Sequence, residues 1–500
     1  MSRGPAACIR RPAASEPSAS PCETDTHALS LLANKLLLTL LFTGVLMGAI
    51  DIAIIGPALP AIQAEFGMNS RELAVLFNAY VFCQMIGTQL LAKLADRRGV
   101  RFAYVLAIGL FACGSLLLVI APEPAVLYTG RAIQGFGAGG IFPVASTVIA
   151  TRLSLEDRGP ALGLLGTVWG LAFLVGPVLG GLLLRYSWHW LFLINLPIAV
   201  LLITGAWRLL PSVPAASPRP FDRTGALTMT LAVLALVIAV NNLDTAAIGT
   251  SLFSPWVAPF LAAALLLGLA FWQIEQRAID PIIQPRLLRT RQILTACLVA
   301  GGIGTMQTAG VFYPAMAVAA IGVSESNAAF MLLPGVLLST LMSPIVGRLI
   351  NIAGTRAIVL VSLVLAAISL NIFGRAELTI ELFIVANLIS GLGMAGLVGA
   401  PLRWTVLNET SPADRTAAQA LLSNVTSVGR LVGAATVGAV AMSQGGGVPG
   451  YQAAFLVMAG LAMLLFLLSL TLKSRAAEWA VADASRGGSA GQADSTQRAT

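Results

Sequence analysis

The stretch LLAKLADRRGVR (90–101) decides the fold, because it returns in weakened form as SPIVGRLINIAGTR (343–356). Lys93, Leu94, Asp96, Gly99 and Arg101 align with Arg348, Leu349, Asn351, Gly354 and Arg356. AIQGFGAGG (132–140) returns as LISGLGMAG (388–396), and Gly176 as Gly433, at nearly the same offset. Separated matches at one offset mean a doubled chain. The expected layout is two similar halves, 35–210 and 293–472, with 211–292 inserted between them.

What surrounds the repeat is apolar. The 500 residues are 57% hydrophobic and 10% charged, with a mean hydropathy of +0.86. A soluble domain carries roughly 25% charged residues, so this chain cannot cover a water-facing surface. Its apolar runs are about 20 residues long, the length of a helix crossing a bilayer. A transmembrane barrel would instead show alternating segments of roughly 10 residues. Fourteen such runs, from 35–61 to 451–472, make an all-α polytopic membrane protein of two six-helix bundles. Two extra helices, 224–243 and 256–274, are expected as a lipid-facing spacer in the insertion.

An even number of crossings puts both ends on one side. Most of the 30 Lys and Arg fall in connections on that side, whereas Arg71, Arg185 and Arg375 lie in the opposite ones. By the positive-inside rule both termini are cytoplasmic. Residues 1–34 and 473–500 are polar, rich in Ser and Ala, and are expected as disordered tails, without a cleavable signal sequence in the first. The net charge of +8 is spread over helix ends, which argues against nucleic acid. The five cysteines are scattered and no CxxC spacing points to a metal or disulfide framework. Enzyme chemistry is disfavoured too, since the spans lack HExxH, GxSxG and any buried histidine. Paired six-helix halves with a site between them are the plan of a secondary transporter, and a channel has no need of it.

Here a resemblance enters. LAKLADRRGVR is similar to the motif between the second and third helices of the major facilitator superfamily, RAIQGFGAGG (131–140) to its fourth-helix motif, and GLAFLVGPVLGG (170–181) to the fifth-helix motif of antiporters. IDIAIIGPALPAI (50–62) and WHWLFLINLP (188–197) resemble the fourteen-helix drug:proton antiporter branch. One departure is Ala92, where the loop motif usually has glycine; Gly347 keeps it in the second copy. The resemblance implies that Asp96, beside Arg97, Gly99 and Arg101, accepts hydrogen bonds across the seam between halves and holds an inner gate shut. Simple anchoring of the arginines at the membrane face is the alternative. Gly176 and Gly180 stand four apart on one helical face, with Gly181 next to them, so helices can approach closely there. Pro177 removes a backbone donor and favours a kink. Packing and hinge readings both apply.

The chemistry lies in GAIDIAIIGPALPAI (48–62), where Asp51 is an acid deep in an apolar span. Intramembrane ionisable residues are costly and face a cavity or a partner. Helix rise puts Asp51 roughly 15 Å and Arg131 roughly 9 Å from the outer face. Asn78 lies at similar depth and Gln134 one turn below Arg131. Burial raises a carboxyl pKa and an adjacent arginine lowers it, so an Asp that exchanges partners would bind and release a proton. Asp51 as proton carrier with Arg131 tuning it is one reading; a static Asp–Arg bridge is the other. Tyr80, Gln84, Trp169, Met306, Gln307, Asn424 and Arg430 are candidate cavity residues by depth and character, against ordinary packing. No cofactor is expected; the proton gradient would supply the energy. Proton-driven export of amphiphilic or hydrophobic compounds across a bacterial-type inner membrane, by a monomeric unit, is the expectation. Two buried arginines against one acid leave open a narrower exporter of a lipid or of an anionic or zwitterionic metabolite.

Overall fold

The computed structural model describes residues 21–152, 155–210, 222–278, 281–375, 377–398, 400–411 and 414–479. The first helices are α1 (Pro21–Phe66), α2 (Ser70–Arg98), α3 (Val100–Val119), α4 (Pro124–Arg152), α5 (Leu155–Leu183), the short α6 (His189–Leu193) and α7 (Asn195–Leu209). The insertion holds α8 (Arg223–Asn241), a turn α9 (Ile248–Ser251), α10 (Ala258–Glu275) and a turn α11 (Pro285–Leu288). The remainder is α12 (Arg291–Gln307), α13 (Tyr313–Ile321), α14 (Glu325–Phe330), α15 (Leu333–Arg375), α16 (Ile380–Leu397), α17 (Ala400–Asn408), α18 (Arg415–Ser443) and α19 (Gly447–Ser469).

Among the described residues, twelve helical segments are long and apolar enough to cross a membrane. One of these, Glu325–Arg375, has 51 residues and would be about 75 Å long as a single rod, far beyond a ~30 Å hydrocarbon core. It turns back at Gly354 and is two crossings. The shorter apolar piece Gly170–Leu183 belongs to the 29-residue α5. Read so, the described residues hold fourteen candidate crossings.

The repeated motif has one backbone geometry in both copies. Gly99 sits at φ 88°, ψ 155° between α2 and α3, and Gly354 at φ 78°, ψ 160° inside α15. A residue with a Cβ is strained at such φ, so glycine is what lets each helix stop and restart within one residue. The motif is therefore less a loop than a helix end: LAKLADRR consists of good helix formers and stays in α2 to Arg98. Elsewhere a single expected span is broken. The first apolar run of the second half, expected as one helix over 293–320, is interrupted by a 3-10 turn, Thr308–Phe312, before Pro314, which lies in the first turn of α13 and lacks the N–H to continue α12.

Both expected tails need correction at their inner ends. α1 starts at Pro21 instead of 35, and proline is favoured at a helix's first position. Residues 1–20 lie outside the described ones. At the other end, Glu478 is buried. Its carboxylate accepts the Thr355 backbone N–H (3.1 Å) and the Thr405 hydroxyl (3.0 Å). Lys473 pairs with Glu409, and its backbone N–H donates to Gln292 Oε1 (3.2 Å). The segment 473–478 is a docked strap, because the helix that restarts after Gly354 has free N–H groups to satisfy. Residues 480–500 lie outside the described ones.

Helices meet where side chains are absent. A Cβ on Gly135 would fall on the Tyr80 carbonyl, and one on Gly139 on the Gln84 carbonyl, so α4 lies directly on α2. In the last six crossings Gly304, Gly429 and Gly433 bring α12 against α18 in the same way. Small residues at such seams allow close backbone contact. α10 buries only Glu275 and packs on α8, as a lipid-facing helix should. α8 is more than a spacer: it also packs on α2 and α18.

Candidate functional site

Five helices converge on Asp51. Its carboxylate is fully buried on α1. Arg131 Nη1, from α4, donates to Oδ2 at 2.7 Å. Gln134 Nε2 donates to Oδ1 at 2.8 Å, and Asn195 Nδ2, from α7, to the same oxygen at 3.4 Å. Gln134 Oε1 in turn accepts from Arg131 Nη1 (2.8 Å), while its amide and that of Asn195 both donate to Ser115 Oγ of α3 (2.8 and 3.3 Å). The Tyr80 ring of α2 lies under the Arg131 guanidinium, whose Cζ is 4.1 Å from the centroid; its hydroxyl donates to the Gly48 carbonyl (3.4 Å).

This geometry is built for an ionised acid. Both oxygens receive donors and neither faces an acceptor, which suits a carboxylate, and the close guanidinium compensates its charge. Arg131 keeps two more donors, Nε and Nη2, without a hydrogen-bond partner among the described residues, although the aromatic face attracts them. Among the described residues no second carboxylate bonds to this shell. Arg131 and Gln134 together bond α4 to both oxygens of the acid on α1.

Of the other expected residues, Asn78 does not join this layer. Its amide reaches the opposite half and donates to the Leu431 carbonyl of α18 (3.1 Å). Arg430 is next to that residue. Its Nη2 donates to Ser427 Oγ (3.0 Å) and its Nε has no partner; among the described residues no acid lies within ion-pair distance of it. Met306 is buried in the core, and Gln84, Gln307 and Asn424 are half-buried. The side chain of Trp169 lies outside the described residues. Asn195 and Ser115 were missed; Asn195 stood in plain view as the polar residue of WHWLFLINLP, and Ser115 as a hydroxyl in an otherwise apolar span.

The glycine stripe and the gate motif fall out differently. A Cβ on Gly176 would come 2.5 Å from the Ala53 Cβ, and one on Gly180 3.0 Å from Pro57, so this face of α5 holds α1 in place two residues after Asp51. Pro177 beside it is buried. Gly181 faces the Phe330 ring across the seam, and its carbonyl accepts Ser326 Oγ at 2.5 Å. Among the described residues Asp96 is paired within its own helix, with Lys93 at 3.9 Å, and makes no bond across the seam in this conformation. Arg97 is exposed, Ala92 half-buried, and Arg101 Nε donates to the Leu210 carbonyl (2.6 Å). The physical reason is where the halves touch. Asn78–Leu431, Ser326–Gly181 and the packing of Gly56 on Val311 all join them toward the face away from the chain ends, leaving Asp96, at the other face, without a cross-seam partner.

Two bundles with a buried charge cluster in one and a paired motif at each helix break define a membrane transporter, and comparison agrees. The model of the Major Facilitator Superfamily matches residues 41–306 and 293–493, and the chain belongs to that superfamily. It is 31% identical over 396 residues to the uncharacterized MFS-type transporter YfiU of Bacillus subtilis (strain 168), covering 78% of this chain and 76% of that one. It is 29% identical over 428 residues to Multidrug resistance protein 3 of the same organism, covering 83% and 81%. Among solved structures, a peptide transporter POT in complex with sulfate superposes with a TM-score of 0.64 at 16% identity, covering 87% of this chain and 94% of the other. The nucleoside transporter NupG gives 0.63 at 13%, covering 87% and 99%.

Proposed function

We propose that the chain is a proton-coupled antiporter that exports amphiphilic or hydrophobic compounds by alternating access, its halves 35–210 and 293–472 rocking about the glycine seams. The observation that carries this is the fully buried Asp51 carboxylate held by Arg131 at 2.7 Å. A buried pair of this kind is strongly destabilised when one partner alone is neutralised, so proton binding at Asp51 has the leverage to shift the α1–α4 contact. With cytoplasmic termini, the conformation described here is closed outward. The proton gradient is the energy source, and the plasma membrane is the site of action, in a monomeric unit. Similarity to a protein named for multidrug resistance supports a broad lipophilic substrate range.

A second reading has its own observation. Among the described residues Arg430 has no acid within ion-pair distance, and a transported anion, zwitterion or acidic lipid headgroup would supply one. The test for both is purified protein in proteoliposomes with an imposed pH gradient. Cationic dye and anionic detergent are offered in parallel, with native chain and Asp51→Asn. Undiminished gradient-driven transport by the variant would end the proposal.

A further inference from the structure

We propose that the groove between α2 and the inserted helix α8 is a binding site for an anionic phospholipid. The groove has a cavity of about 420 Å³ and is lined along its length by Leu90, Leu94 and Leu227, with Lys93, Arg97 and Arg223 at the end nearer the chain termini. Leu90 and Leu227 are exposed (41% and 59%), so this opening between two membrane-spanning helices faces the bilayer sideways. Hydrocarbon belongs in it.

What selects the headgroup is charge. Lys93 and Arg97 are one helical turn apart on α2, and Arg223 is the first residue of α8. The Lys93 side chain is 11% exposed, and its Nζ is buried without a hydrogen-bond partner. Its Asp96 contact, at 3.9 Å, is too long for a hydrogen bond. A buried ammonium held only by this long ion pair still lacks a hydrogen-bond acceptor, which is unfavourable, and a lipid phosphate entering from the groove would provide one. The acids on the insertion do not compete. Asp222, which precedes Arg223 in the chain, caps the Gly225 N–H at 2.8 Å, and Glu275 accepts the Ile283 N–H at 3.0 Å, so each is held by a backbone donor. Basic pockets between membrane helices hold acidic headgroups. The insertion thus gains a role that the transport cycle leaves unfilled: α8 closes a lipid site against the outside of α2. This does not rest on the substrate reading.

The experiment uses the full chain reconstituted in mixed vesicles of phosphatidylglycerol and phosphatidylcholine, extracted in mild detergent and weighed by native mass spectrometry. The native chain is expected to retain phosphatidylglycerol over phosphatidylcholine. Lys93→Gln/Arg223→Gln should weaken that preference on the order of ten-fold. Leu227→Trp, which fills the groove and keeps the charges, should lose bound lipid of both kinds. Thermal unfolding in detergent checks each variant; should the double variant not fold, Arg223→Gln, at an exposed helix start, carries the test alone. Equal retention of the two lipids by the native chain, or an unchanged preference in the charge variant, would overturn the proposal.

Discussion

Asp51 on α1 and Arg131 on α4 form an ion pair of 2.7 Å in which both side chains are almost wholly removed from solvent. Removing one member of such a pair costs about 3–5 kcal/mol, because the other is left buried and unmatched. Arg131→Met should therefore lower the thermal midpoint sharply, whereas Asp51→Asn/Arg131→Met should recover much of the loss. Unfolding of the single and double variants in detergent reads this directly; additive losses would mean that the pair is not coupled.

For transport, Asp51→Asn keeps the shape of the side chain but cannot titrate. Gradient-driven uptake into inverted vesicles is expected to fall by at least about ten-fold, the effect of some 1.4 kcal/mol or more on the driving step, with substrate binding retained.

The α5 stripe makes a graded prediction. Gly176→Ala brings a methyl group onto Ala53 and should cost about 1–3 kcal/mol as overpacking, with slowed transport; Gly176→Leu should abolish it. Gly170→Ala has only Thr340 nearby, at 3.8 Å, and should be tolerated or slightly stabilising, since alanine favours helix. Transport rate and thermal midpoint separate the three.

Asn78 donates across the seam to the Leu431 carbonyl. A hydrogen bond of this kind contributes about 1 kcal/mol, so Asn78→Leu should shift the balance about five-fold toward the conformation open at the far face. Spin labels on the Arg71 and Ser443 ends of α2 and α18 would report it as a longer distance population.

At the other face, Glu478 joins Thr355 on α15 to Thr405 on α17. Glu478→Ala should destabilise by about 1–3 kcal/mol, and pairing it with Thr405→Val should cost less than the sum of the two. A double-mutant cycle on thermal midpoints measures the coupling.

Much of this was legible from local patterns. The membrane-spanning helices, the doubled plan and the importance of Asp51 follow from run length, repeat offset and the cost of one acid in an apolar span. Gln134 was placed near Arg131 because helical periodicity alone sets them a turn apart. Asn78 was misassigned to the Asp51 layer, since depth along a helix says nothing of the direction in which a side chain points. The docked strap at Glu478 was read as tail because its residues are polar; the partner that orders it lies 123 positions away in the chain.

The amino-acid order by itself determined that the chain is a bundle of membrane-spanning helices and that the plan is repeated with a glycine break in each copy of the motif, because bilayer thickness and glycine conformation act within a few neighbouring residues. Only the tertiary structure decided that Ser115 and Asn195 complete the shell of Asp51, that Asp96 stands without a partner across the seam, and that α8 closes a basic groove on α2. Those outcomes depend on the rotation and crossing of packed helices, which are fixed by where glycines let backbones touch and by contacts between residues far apart in the chain.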